Sequence, residues 1–313
     1  MKRTLVTVLV VLLLGGIGMI AIRSLLHQQA PKTSQADPAT QTIVNKTNAV
    51  SYGGVSFTFD PSLATEVKSR TIPASTDGKP SDVAPEHSSF TLVGYPLFKG
   101  SSRGDPEIKV FSIAKFREAM SIASVEGNKG VDPPNPPDWA TYFDEEVRVL
   151  KALLAAKPTV HLGRFIAKAR RAKGCSAAMP FLPMWEACMA FVGHVRYVNF
   201  KGGQGVFFLT QWERETTQIS NEAMEYAFQG ITDDGRYWIY AEFSVAAPFL
   251  PKGGEPELVT WNEKNYLLPH NSKKYQDYLQ PIVAKLEALP DDRYQPNLKL
   301  LEQMIGSLEV RIK

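Results

Sequence analysis

Four strand-length segments crowded between residues 189 and 245 constrain this chain more than any other feature. Residues 189–200, 206–213, 225–232 and 236–245 are rich in aromatic and β-branched side chains, which fit a pleated, half-buried surface. Lys201-Gly202-Gly203-Gln204-Gly205 separates the first pair and Asp233-Asp234-Gly235 the last. Both links carry the glycine that tight hairpins use for positive φ. The connection through Thr216 to Glu222 is also short. Four consecutive strands with short loops predict an antiparallel meander. Its bulk comes from Tyr197, Phe207, Trp212, Tyr226, Phe228, Tyr237, Trp238, Tyr240 and Phe243.

The flanking sequence supplies further strands and the helices that cover them. Val55, Phe57 and Phe59 alternate with Ser56 and Thr58, the period of a strand with one buried face, and Asp60-Pro61 stops it. Residues 89–95 and 108–113 read as strands, the second continuing into a short helix over 115–121. Residues 69–85 are polar and contain proline, so they read as a loop, and the proline-dense stretch 128–137 cannot hold regular structure. Over 138–156, Tyr142 or Phe143, Val147, Leu150 and Leu154 form one helical stripe, with Asp138 placed as N-cap or first-turn acid. Residues 272–289 repeat the pattern through Tyr275, Leu279, Ile282 or Val283, and Leu286, with Pro281 setting a kink or a late start. A short helix over 296–305 buries Leu298, Leu301, Met304 and Ile305, and 308–312 alternates as a last strand. The expected class is α+β, a mainly antiparallel sheet packed against helices.

The N-terminus has a different character. Residues 4–22 form nineteen uncharged positions, preceded by Lys2 and Arg3 and closed by Arg23. As a helix this run spans about 28 Å, close to the hydrocarbon thickness of a bilayer. A cleavable signal peptide has a shorter apolar region and small residues at its cut, which His27-Gln28-Gln29-Ala30 matches poorly; a buried core helix is the third reading. The expectation is a single-pass cell-membrane anchor over residues 1–23 with the N-terminus cytoplasmic, since positive charge favours that side. A flexible stalk over 24–49 and one extracytoplasmic domain over 50–313 follow from it.

Charge narrows the partners. The chain holds 35 Lys and Arg against 32 Asp and Glu, and Lys2, Arg3 and Arg23 account for the whole excess of three. The remainder balances, so nucleic acid is excluded as a partner. Within it, no acid occurs between Glu146 and Glu186, while Arg148, Lys151, Lys157, Arg164, Lys168, Arg170, Arg171 and Lys173 all fall there. This stretch reads either as a solvated helix flank or as a surface for anionic lipid, an acidic polymer or an envelope protein. Cys175 and Cys188 form a disulfide or stay as two buried thiols.

Motifs for chemistry are sparse. His27, His87, His161, His194 and His270 are scattered without metal-ligand spacing, and no nucleophile elbow, phosphate loop or dinucleotide fingerprint occurs. No cofactor or metal is expected. His194 reads as a strand histidine, and Gly202-Gly203-Gln204-Gly205 as a hairpin loop in preference to an anion nest. Glu213 with Glu215, and Asp233 with Asp234, are the only acid pairs that invite comparison with glycoside hydrolysis, and both read as solubilising. The expected function is a non-catalytic, membrane-tethered extracytoplasmic binding domain; the alternative is an envelope hydrolase assembled from distant residues.

Two stretches carry a resemblance. Tyr52-Gly53-Gly54-Val55-Ser56-Phe57-Thr58-Phe59-Asp60-Pro61 is the first. The second runs from Phe181-Leu182-Pro183 through Tyr197-Val198-Asn199-Phe200 and Gly205-Val206-Phe207-Phe208-Leu209-Thr210 to Phe228-Gln229-Gly230-Ile231-Thr232-Asp233-Asp234-Gly235. Together they resemble uncharacterised bacterial membrane-anchored or secreted proteins, a likeness that implies location and no activity. The layout of opening strand, central meander and closing helix–strand is also similar to the PsbP-like sandwich. That similarity implies a fold and no function.

Overall fold

The computed structural model describes residues 42–45, 48–75, 83–98, 101, 103–127, 139–159, 161–169, 179–182, 187–253, 268–270 and 272–312. Thr40–Lys313 forms one compact unit; Met1–Ala39, the other, lies outside the described residues. In chain order the elements are β1 (Ile43–Asn45), β2 (Ala49–Tyr52), β3 (Val55–Thr58), β4 (Glu66–Ile72), β5 (His87–Val93) and β6 (Glu107–Ser112). Then come α1 (Ile113–Gly127), α2 (Trp139–Ala156), α3 (Leu162–Ala169), β7 (Cys188–Met189), β8 (Gly193–Phe200) and β9 (Gly203–Glu213). The chain closes with β10 (Met224–Thr232), β11 (Tyr237–Ser244), α4 (Lys273–Ala288), α5 (Leu298–Gly306) and β12 (Glu309–Val310).

Nine strands make one sheet in the order β1-β4-β5-β6-β11-β10-β9-β7, with β8 also paired to β9, and every pairing is antiparallel. The expected meander β8-β9-β10-β11 is present at its centre. A second sheet, β12-β3-β2, includes the expected opening and closing strands. Every residue of β10 is buried, because this central strand is covered on both faces. On one face Phe207, Tyr226, Phe228 and Phe243 pack with Tyr275, Leu279 and Leu286 of α4 and Leu298, Leu301 and Ile305 of α5. On the other, Phe111, Phe208 and Trp238 pack with Phe116 of α1 and Phe143, Leu150 and Leu153 of α2. Gly205 lies opposite Gly230, and a Cβ at Gly205 would sit 2.4 Å from the Phe228 ring. The paired glycines leave the space that this ring fills.

Several expectations change. Val147, Leu150 and Leu154 are buried along α2 with Phe143, but Asp138 lies outside the described residues and the helix begins at Trp139. The short helix expected over 115–121 is the longer α1, and Pro281 lies inside α4, whose start is capped by the Ser272 side chain. Part of the loop expected over 69–85 is the second half of β4. Part of the stalk is strand: β1 pairs with β4. The membrane-spanning helix is corrected as well. Among the described residues no helix is long and apolar enough to cross a membrane, and the run 4–22 lies outside them. The longest, α2, carries Asp144, Glu145, Glu146, Arg148 and Lys151 within its 18 residues. The anchor, the single-pass topology, the extracytoplasmic location and the membrane partner are not carried forward.

Candidate functional site

Period-2 alternation gives the sheet face under α1 and α2 its chemistry, row by row. One cross-strand row reads Ile72, His87, Phe111, Trp238 and Ile231, largely aromatic and covered by the helices. The next-but-one residue on each strand shifts the row to Arg70, Ser89, Lys109, Tyr240 and Gln229. Further along the same face lie Thr91 with Glu107, then Glu242, and then Glu225 opposite Thr210. A single face therefore passes from packed rings to a field of charges.

Arg103, on the segment entering β6, sits at the centre of that field. Its Nε donates to the Glu222 carbonyl at 2.8 Å, Nη2 donates to the Ala223 carbonyl at 3.4 Å, and Nη1 pairs with Glu225 Oε1. The Glu225 side chain is 4% exposed and that of Arg103 33%. Oε2 of Glu225 meets no hydrogen-bond donor among the described residues. Burial lowers the Arg103 guanidinium pKa, while Glu242, Glu222 and Tyr240 act to restore it. Burial pushes the Glu242 carboxyl up, against hydrogen bonds from Tyr240 and Trp212 and the nearby charges of Arg103 and Lys109. Trp212 Nε1 donates to Glu242 Oε1 at 2.8 Å. Phe181 closes the aromatic side, 4.2 Å from the Trp212 ring and 5.5 Å from that of Tyr240. The segment bearing Phe181 is held from beneath: Glu146 Oε2 accepts from Phe181 N at 3.1 Å, and Gln229 Nε2 donates to Pro180 O at 2.7 Å. Beside this centre, Glu107 is served by Lys109, Thr91 and Arg70, which outweigh its burial and hold its pKa low.

A second polar cluster occupies the end of β9 on the opposite face. Glu213 accepts from the Tyr275 hydroxyl at 2.8 Å and from Thr217 N and Oγ1 at 3.1 and 3.0 Å, and His270 Nε2 lies 3.1 Å away. Burial raises the Glu213 pKa in spite of these donors. Each carboxylate oxygen is occupied, so Glu213 serves to tie β9, the 216–218 turn and α4 together. His194, expected on a plain strand, stands at φ 49° beside a β-bulge. Its Nε2 pairs with Asp291 at 2.7 Å and its backbone N–H donates to Glu287 at 2.6 Å, fixing the C-terminal segment to β8.

The residues singled out from sequence lie elsewhere. Arg148 spends its fork on Glu145 and the Ala169 carbonyl, closing α3 onto α2. Lys157 donates to Asn199 at 3.1 Å. Lys151, Arg164 and Lys168 are exposed, while Arg170, Arg171 and Lys173 lie outside the described residues. Glu215 is exposed and separate from buried Glu213; Asp234 is bound within its own turn by Thr232 and Arg236. Gly202 and Gly203 belong to the hairpin. No disulfide joins two described residues: Cys188 is not a free thiol, and Cys175 lies outside the described residues, so the expected pair is not used further. Among the described residues no three His, Cys, Asp or Glu side chains are placed to hold a metal.

Sequence reasoning missed Arg103, Glu225 and Glu242. The signal for the two acids was present, because Glu225 alternates with Ala227 and Ile231, and Glu242 with Tyr240 and Trp238, all on one buried face. Comparison with known proteins leaves this site to be read from its own chemistry: no family model, no curated protein and no solved structure matches the chain.

Proposed function

We propose that this domain binds a small organic cation over the charged half of the helix-covered sheet face. The observation that carries the reading is at Glu225: Oε1 pairs with Arg103, while Oε2, at a nearly closed site, meets no donor among the described residues. A buried acceptor oxygen left without a donor costs about 1–3 kcal/mol, so a ligand that supplies one is favoured. The membrane-tethered binder and the envelope hydrolase expected from sequence both drew on the anchor and are replaced by this reading.

The test is thermal denaturation of the whole chain with choline, putrescine or arginine, against sodium chloride at matched ionic strength and against glucose. A ligand that binds only the folded state raises the melting temperature in a saturable way. At least one cation is expected to do so, with the effect lost in Glu225→Gln and Glu242→Gln. A shift reproduced by sodium chloride, or by glucose alone, would overturn the reading.

A further inference from the structure

Resting on that reading, we infer that the ligand class is the guanidinium compounds, and that Arg103 is the resident placeholder an incoming guanidinium displaces. The side chain already on the site shows what its acceptors fit. Three nitrogens of one planar fork each meet a separate acceptor, the carbonyls of Glu222 and Ala223 and the carboxylate of Glu225. A point-like ammonium on a flexible stem does not span such a set; a guanidinium does.

The acceptors stand independently of the side chain that occupies them. Met224 N and Ala223 N both donate to Ser220 O, which shapes the turn presenting the two carbonyls. Asn221 N donates to Pro251 O and Glu222 N to Lys252 O. The Asn221 side chain donates to the carbonyls of Ala247 and Leu250 and accepts from Ala247 N. Glu225 is fixed by the paired strands β9, β10 and β11. Arg103 enters from a different segment, held by the bond from Leu92 N to Pro106 O and by Asp105, which accepts from Tyr95 N. Withdrawing the Arg103 side chain therefore leaves the cradle built, with one third of that side chain already open to solvent as the route of exchange.

The experiment is chemical rescue. Arg103→Ala in the full chain is expected to melt below the wild type, and millimolar methylguanidinium to recover most of the difference in a saturable way. Methylammonium is expected to bind Arg103→Ala at least tenfold more weakly. The wild type should need at least tenfold more methylguanidinium for half its shift, since Arg103 competes. Adding Glu225→Gln should abolish rescue. Should Arg103→Ala not fold, Arg103→Lys, which keeps the charge and loses the fork, is titrated instead with the same expectation. Equal rescue by methylammonium would overturn the guanidinium assignment while leaving the cation reading standing. Absence of rescue by either probe in a folded variant would overturn the placeholder. Failure of every cation on the wild type, methylguanidinium included, would overturn both displacement of Arg103 and the cation reading, whatever Arg103→Ala does.

Discussion

The two halves of the helix-covered sheet face use the same strands in the same register, yet solve opposite problems. In one half Phe111, Phe116, Phe143 and Trp238 meet ring to ring, with centroids 5.0–5.6 Å apart, and the one polar atom of the four, Trp238 Nε1, is buried there without an acceptor among the described residues. In the other, Arg103, Glu225, Glu242 and Trp212 must each find a partner of opposite character, and Glu225 Oε2 finds none among the described residues. α1 and α2 carry the apolar side chains that pack on the first half. The difference teaches where stability and recognition reside: the aromatic half holds the fold, and the charged half gives up packing for groups that can act on a ligand.

Truncation of the aromatic half should have the largest effect. Trp238 is fully buried among Phe111, Phe116 and Tyr240. Trp238→Ala is expected to cost about 3–5 kcal/mol in denaturant unfolding, by lost transfer energy and the cavity left behind. A cost below about 1 kcal/mol would mean that this half is not the mechanical base of the sheet.

The charged half should answer differently to one change and to two. Arg103→Leu leaves Glu225 buried without its cation and should cost roughly 2 kcal/mol, less than a fully buried pair because Arg103 is one third exposed. Arg103→Leu with Glu225→Leu removes both desolvation costs and should recover that loss, since apolar replacement of a buried pair is often neutral or stabilising. Equal loss in the single and double variants, measured by chemical denaturation, would show that the pair is held for stability.

The same contrast governs what could be read in the sequence. The meander was legible because its hairpins are local: Gly202 and Gly235 stand at φ 81° and 70° at its two turns. The second half of β4 was not, because Ser69 fills an inward position where an apolar residue would mark the strand, and Lys68 and Arg70 alternate on the charged face. Glu225 and Glu242 could have been found, as acids at inward positions of strands otherwise apolar on that side. Arg103 could not: it lies 119 residues from the carbonyl it meets, and the alternation of its own short segment says nothing of that approach. Within the basic stretch from Arg148 to Lys173, Arg148 is paired with Glu145, which stands just before the acid-free interval begins, a contact that the run of like charge does not announce.

The smallest effects expected are also the most specific, and they concern two carboxylates on one hairpin. Asp234 sits exposed in the β10–β11 turn, and Glu242 lies partly buried at the far end of β11. At Asp234 the donors prevail: the Thr232 hydroxyl at 2.6 Å, then the backbone and side chain of Arg236, lower its pKa to about 2. At Glu242 burial prevails and the pKa rises. The stability that each contributes must then run in opposite directions with pH. For Asp234, whose folded value is depressed, the contribution is present above the unfolded value near 4 and is lost as pH falls toward 2. For Glu242, whose folded value is raised, the contribution is full below the unfolded value of about 4.5 and is lost as pH climbs through the folded one. Asp234→Asn should therefore destabilise at pH 6 and do less at pH 2. Glu242→Gln should gain on the wild type between pH 4 and pH 8, because the amide never has to be charged in the closed half of the face. Melting curves of the two variants against the wild type across pH 2–8 check both signs in one experiment. Parallel curves would mean that burial does not set the Glu242 carboxyl, and would remove the proton-sensitive element from the charged half of the sheet.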